Sequence, residues 1–239
     1  MANEQEYIGE IIESSTIEFA AESRELHSPP PFGSFVKALL SSNESLTQPP
    51  PASQDDPFQR MEGKFGADYR SIVEGEPSTI AAPGVSPAIY AVVHQAATTP
   101  VDTSKRLRAF WKDEEQLKEE QPELEEWLLV TGFRAVIIGY SANGTIYQFL
   151  PPQPPKILSG VHPCTSEEIK LITSRMDFLR TLANSRSAPP DEVVAACIRE
   201  ANAARGGDMD FLVAAGKELA NLMRDDYDRL QAIMRRVAL

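Results

Sequence analysis

The chain has 239 residues and a mass of 26.3 kDa, with 42% hydrophobic and 24% charged residues and a mean hydropathy of −0.28, a composition able to bury a core in one or two domains. Thirty-five Asp/Glu against 23 Lys/Arg give a net charge of −12 and a pI near 4.8, which argues against direct nucleic-acid binding, because phosphate contacts need dense cations. Two cysteines cannot build a disulfide framework, no apolar run reaches the roughly 20 residues of a membrane span, and the acidic start, residues 1–6, is unlike a basic secretory leader, so the expectation is a cytoplasmic protein with no membrane span.

Taken from the N-terminus, residues 7–13 and 16–22 read as two strands around Ser14-Ser15. The second alternates, with Ile17, Phe19 and Ala21 on one face and Thr16, Glu18 and Ala20 on the other, the period of a half-buried strand. Residues 35–40, entered through Gly33, make a third strand; 89–94 and 133–140 make a fourth and a fifth. The fifth is apolar on both faces, which predicts a central position. Asn143-Gly144 offers the adjacent positive-φ positions of a tight hairpin turn, and 145–150 returns as a sixth strand. Six short strands with such a hairpin predict a small closed β-barrel, since closure leaves no exposed edge.

Two insertions interrupt the barrel. Residues 41–87 are polar and rich in proline. A stretch of that length is a functional arm or a disordered insert, although Phe58, Met61, Phe65, Tyr69 and Ile72 recur at the spacing of a short docking helix. The second insertion, 105–130, reads as helical and acidic. Asp113-Glu114-Glu115-Gln116 is a capping-box pattern, and Pro122 opens a further helix that turns Leu124, Trp127 and Leu128 towards a core. Eight carboxylates fall between Asp113 and Glu126 with Lys118 as their one lysine, the pattern of a solvated helical face rather than a metal site.

Leu150-Pro151-Pro152-Gln153-Pro154-Pro155 admits neither helix nor central strand, because each proline fixes φ and pushes its predecessor towards extended geometry. It reads as a semi-rigid connector, in the conformation that SH3 and WW domains also bind. The charge changes here as well. Residues 1–160 hold 23 Asp/Glu and 12 Lys/Arg, net −11, whereas 161–239 hold 12 and 11, net −1. That asymmetry predicts two units, a barrel over 1–160 and an all-α unit over 161–239. In the second, Thr165-Ser166-Glu167-Glu168 is a capping box followed by Ile169, Ile172, Met176, Leu179 and Ala183 at helical spacing. Three more helices start at Pro190, near Asp210 and at Asp225/Asp226; the first of these ends at Gly206-Gly207 and the last carries Arg235 and Arg236 in its final turn. The fold class is α+β: a six-stranded barrel with a helical insertion, then a four-helix unit.

The search for chemistry returns structural readings. A P-loop needs G-x-x-x-x-G-K-[ST], but Phe58 precedes Gly63-Lys64 and Phe211 precedes Gly216-Lys217 where the first glycine belongs. Ser141 lies in Gly139-Tyr140-Ser141-Ala142-Asn143-Gly144, a strand-turn-strand context, while a nucleophile elbow needs a strand-to-helix turn. His27, His94, His162, Cys164 and Cys197 are dispersed without metal-ligand spacing. The expectation is a protein that is not an enzyme and takes no metal or cofactor. Lys105, Arg106 and Arg108 form the one compact basic cluster, able to contact phosphate or a partner's carboxylates, or to stay solvated or internally paired. Together with Asp113, Glu114, Glu115, Glu119 and Glu120 they are the candidate interaction residues.

The opening Tyr7-Ile8-Gly9-Glu10-Ile11-Ile12-Glu13-Ser14-Ser15-Thr16-Ile17-Glu18-Phe19, with Leu107, the 111–122 stretch, Val136-Ile137-Ile138-Gly139-Tyr140 and Leu150 to Pro155, resembles the HAS barrel, the domain shared by HerA-type DNA translocases and ATP synthase subunits. The resemblance covers residues 7–40 and 88–157. In those ATPases the barrel implies a collar that arranges subunits in a hexameric ring. No nucleotide-binding segment follows the barrel here, so the resemblance carries no ATP hydrolysis with it. It implies an adaptor or assembly factor making protein–protein contacts, with a ring-shaped ATPase, another large complex or further copies of itself as partner. The alternative is an accessory factor of HerA-type DNA processing.

Overall fold

A computed structural model of the chain describes residues 7–40, 79–102, 129–187 and 189–238, with Ser104, Gln116, Glu119 and Glu120. Eight strands come first: β1 (Gly9–Ser14), β2 (Glu18–Ser23), β3 (Phe35–Leu39), β4 (Thr79–Ala81), β5 (Ala88–Pro100), β6 (Leu129–Ala142), β7 (Thr145–Tyr147) and β8 (Gly160–Pro163). Five helices follow: α1 (Ser166–Ile172), α2 (Asp177–Ala183), α3 (Pro190–Ala204), α4 (Met209–Leu222) and α5 (Tyr227–Val237).

Neighbouring strands run β2-β1-β8-β3-β5-β6, and β6 pairs back onto β2. Every pairing is antiparallel, so these six strands close a barrel. The expected class is therefore present, with one strand exchanged. Residues 145–150 were the expected sixth stave, but β7 lies outside the ring, between β6 and the short β4. The reason is edge occupancy. One edge of β6 is taken by β2 at Gly132 to Val136 and by β7 only further on, at Tyr140 to Ala142. The gap between β1 and β3 is filled instead by β8, four residues beyond the proline connector that carry little strand signal of their own. Asn143 (φ 50°) and Gly144 (φ 70°) make the two-residue β6–β7 turn as the sequence indicates.

Alternation along the strands sorts two cores. Ile11, Phe19, Ala21, Val36, Ile89, Ala91, Val93, Phe133, Ala135, Ile137 and Val161 fill the barrel. Phe35, Tyr90, Val92, Val136 and Ile138 point outward on one side, where Ile169, Ile172, Phe178, Leu179, Leu182, Val194 and Ile198 of the helices cover them. Central β5 and β6 are thus buried on both faces, as their unbroken apolar runs require. The helical unit shares its core with the barrel's outer wall, and the 161–239 stretch begins inside barrel strand β8.

The single helix expected through Ile169 and Ala183 is two helices, α1 and α2, giving five between Ser166 and Val237. Thr173 ends α1 by donating its hydroxyl to the Ile169 carbonyl (2.5 Å). Gln148, in the segment leaving β7, donates its amide to the carbonyls of Ile172 and, at 3.1 Å, Arg175. Those carbonyls are thereby bound outside the helix, which turns. The remaining helix signals hold: the Thr165–Glu168 capping box, Pro190 at the start of α3, positive-φ Gly206 and Gly207 after it, and Asp226 capping α5. Asp208 caps α4, accepting from the amides of Asp210 and Phe211. Within the expected 41–87 insertion, β4 and the buried Ala82 belong to the fold; Phe58, Met61, Phe65, Tyr69 and Ile72 lie outside the described residues, as do Leu124, Trp127 and Leu128. The expected 105–130 insertion ends earlier, because β6 starts at Leu129.

Candidate interaction surface

The β5–β6 hairpin is longer than the strands beside it. Pairing of β5 with β3 stops at Val92, whereas its ladder with β6 continues to Pro100↔Leu129. The expected strands end at His94 and start at Phe133; Thr98-Thr99 and Val130-Thr131 are the β-branched pairs that mark the extension. The extension is braced by a small hydroxyl network. Thr131 Oγ1 accepts from the His27 amide at 2.8 Å and lies 2.8 Å from Thr98 Oγ1. Pro100 and Leu129, the last pair of that ladder, therefore lie opposite each other, about 5 Å apart.

Lys105, Arg106, Arg108, Asp113, Glu114 and Glu115 lie outside the described residues. Glu119 and Glu120 are helical and exposed, as their place in a solvated acidic helix predicts.

On the outer barrel wall beside the hairpin is a shallow groove of about 270 Å³. Its floor is small, Ala20, Gly132 and Ala97; Ile12, Thr99 and Val130 form its sides. Ile12 reaches it because β1 bulges there, the register stepping from Ile11 to Glu13. One end is closed by Arg134, which pairs with Glu13 at 2.5 Å and Glu18 at 3.5 Å.

The buried polar groups do structural work. Ser141 Oγ accepts from the Ala88 amide (2.9 Å) and donates to the Ser86 carbonyl (2.7 Å), which holds the entry to β5. Burial pushes the Tyr90 hydroxyl up to about 12, and it raises both cysteine thiols, so Cys164 and Cys197 stay protonated. Lys37 of β3 lies 4% exposed, 2.6 Å from the Glu168 carboxylate of α1, and links barrel to helices.

His94 is a buried group with unmet hydrogen-bonding potential. It is 4% exposed, neither ring nitrogen has a hydrogen-bond partner among the described residues, and Glu18 Oε2 stands 3.5 Å from Nε2. Burial lowers its pKa, Arg134 adds to that, and Glu18 opposes both. The folded chain therefore holds the ring neutral, and the unfolded chain takes up the proton first. Stability should be fully present at neutral pH and fall as pH drops below about 6.5. In thermal melts stepped from about pH 7 to 5, His94→Gln should flatten this slope; an unchanged slope would assign it to other groups.

A comparison with protein-family models gives no match to this chain, and a comparison with curated proteins gives none.

Proposed function

We propose that this chain is a HAS-barrel protein that holds protein partners without catalysing a reaction: an adaptor or assembly factor, with a ring-shaped ATPase or another large complex as its client. The observation that carries the reading is the prolonged β5–β6 hairpin, which pins both ends of a strongly acidic insertion. A closed barrel gives that hairpin a rigid base, and a rigid base lowers the entropy lost when a displayed segment docks. Between Asp113 and Glu126, eight carboxylates against one lysine suit a basic partner surface, where complementary charge speeds encounter and sets orientation.

The test is affinity capture from native lysate at low and high salt, with mass spectrometry of what is retained. A reproducible partner that is lost at high salt is expected, with retention reduced about tenfold, a cost of about 1.4 kcal/mol, when Asp113, Glu114, Glu115, Glu119 and Glu120 are changed to their amides. Retention unaffected by salt and by these changes would remove the acidic insertion from the reading. The DNA-processing alternative rests on Lys105, Arg106 and Arg108, which open the same insertion. It requires retention of duplex DNA in a mobility-shift titration at low salt, abolished by changing the three to glutamine.

A further inference from the structure

The geometry points to a self-association surface: we propose that the uncovered edge of β5 over residues 95–100 pairs antiparallel with the same edge of a second copy about a two-fold axis. This deepens the partner-holding reading by naming one partner.

Beyond Val92, β3 no longer covers β5; its last contacts are the Gly33 and Ser34 backbone on Val93. From Gln95 to Thr99 the strand is exposed while its other edge stays paired to β6. Among the described residues no strand lies on this edge. Natural sheets blunt such edges with charges, prolines, bulges or shortness. The β4 edge has shortness, at three residues. The β5 edge has a register step at His94 and a proline at position 100, but between them it is Gln95-Ala96-Ala97-Thr98-Thr99, without a charge. That is about 17 Å of open ladder, ended by Pro100.

Three considerations select a second copy as occupant. An antiparallel edge is self-complementary, because a two-fold rotation sets its donors against its own acceptors. A chain of net −12 repels its copy wherever carboxylates face each other, and this edge presents none. Threonine and alanine also pair across strands without steric demand, threonine hydroxyls adding cross-strand contacts. The contact is shorter than a standard interface, so the dimer belongs to the weak, concentration-dependent class.

Sedimentation equilibrium of the purified full chain decides the matter. The unaltered protein should shift from monomer to dimer with a midpoint between about 1 and 200 µM. The Ala97→Lys/Thr99→Lys variant should raise that midpoint at least tenfold with its melting temperature unchanged. A chain that stays monomeric throughout overturns the proposal, as does a dimer indifferent to the lysines. Amide exchange on the unaltered chain removes any dependence on the variant's folding: protection over 95–99 should rise with concentration, and protection independent of concentration also overturns it. Because no other protein is present, a negative result leaves client capture standing, and failed capture leaves this pairing standing.

Discussion

Glu168→Gln should destabilise the fold by about 3 kcal/mol, the cost of breaking a buried ion pair by removing one of its charges. Lys37 sits within the layer between barrel and helices, and its side chain is 5% exposed against 20% for Glu168. Loss of the carboxylate leaves the ammonium in that layer with a weaker acceptor. Glu168 also closes the α1 capping box, its Oε2 accepting from the Thr165 amide at 2.9 Å. The reverse change, Lys37→Met, should cost about 1 kcal/mol, since the carboxylate that remains reaches water and the methionine fills the space. The double variant Lys37→Met/Glu168→Gln should be more stable than Glu168→Gln alone, because no buried cation is left. Urea unfolding of all four proteins gives the coupling energy directly. A coupling near zero would show that this pair does not tie the barrel to its helices.

Gly33→Val should cost about 3 kcal/mol or more, from two separable sources. Gly33 has φ 89°, a conformation a β-branched residue resists, and a Cβ placed there would lie 2.5 Å from the Ala196 side chain of α3. The loop entering β3 thus lies directly on the helix, and its amide also bonds the Val93 carbonyl at 2.8 Å. Adding Ala196→Gly to Gly33→Val should relieve the side-chain overlap but neither the close approach to the Ala196 backbone, 3.0 Å from the added Cβ, nor the dihedral strain, so thermal melts should show partial rescue. Full rescue would mean that contact with α3 alone requires the glycine.

Much of the barrel was legible because its signals are local. The alternation of Phe19 and Ala21 against Glu18 and Ala20 gave the inward face of β2, and the twin apolar faces of β6 gave its central place. The closing strand was not legible. Gly160-Val161-His162-Pro163 is too short and too mixed to read as a strand, and becomes one only because β1 and β3 each present it an edge. The surface divides in the same way. Composition marked the acidic insertion, whereas the groove depends on a bulge at Ile12 meeting small residues from three other strands.

By itself the sequence determined what neighbours within a few residues can settle. It set the Asn143-Gly144 turn, the helix caps at Thr165 and Asp226, the start of α3 at Pro190, and the uneven distribution of charge. Only the tertiary structure decided which edges pair, which leaves Lys37 and His94 buried, divides one expected helix at Thr173, and leaves the far half of β5 without a second strand among the described residues. Backbone dihedrals and caps answer to local chemistry, while strand partners and burial depend on which distant segments compete for the same edge.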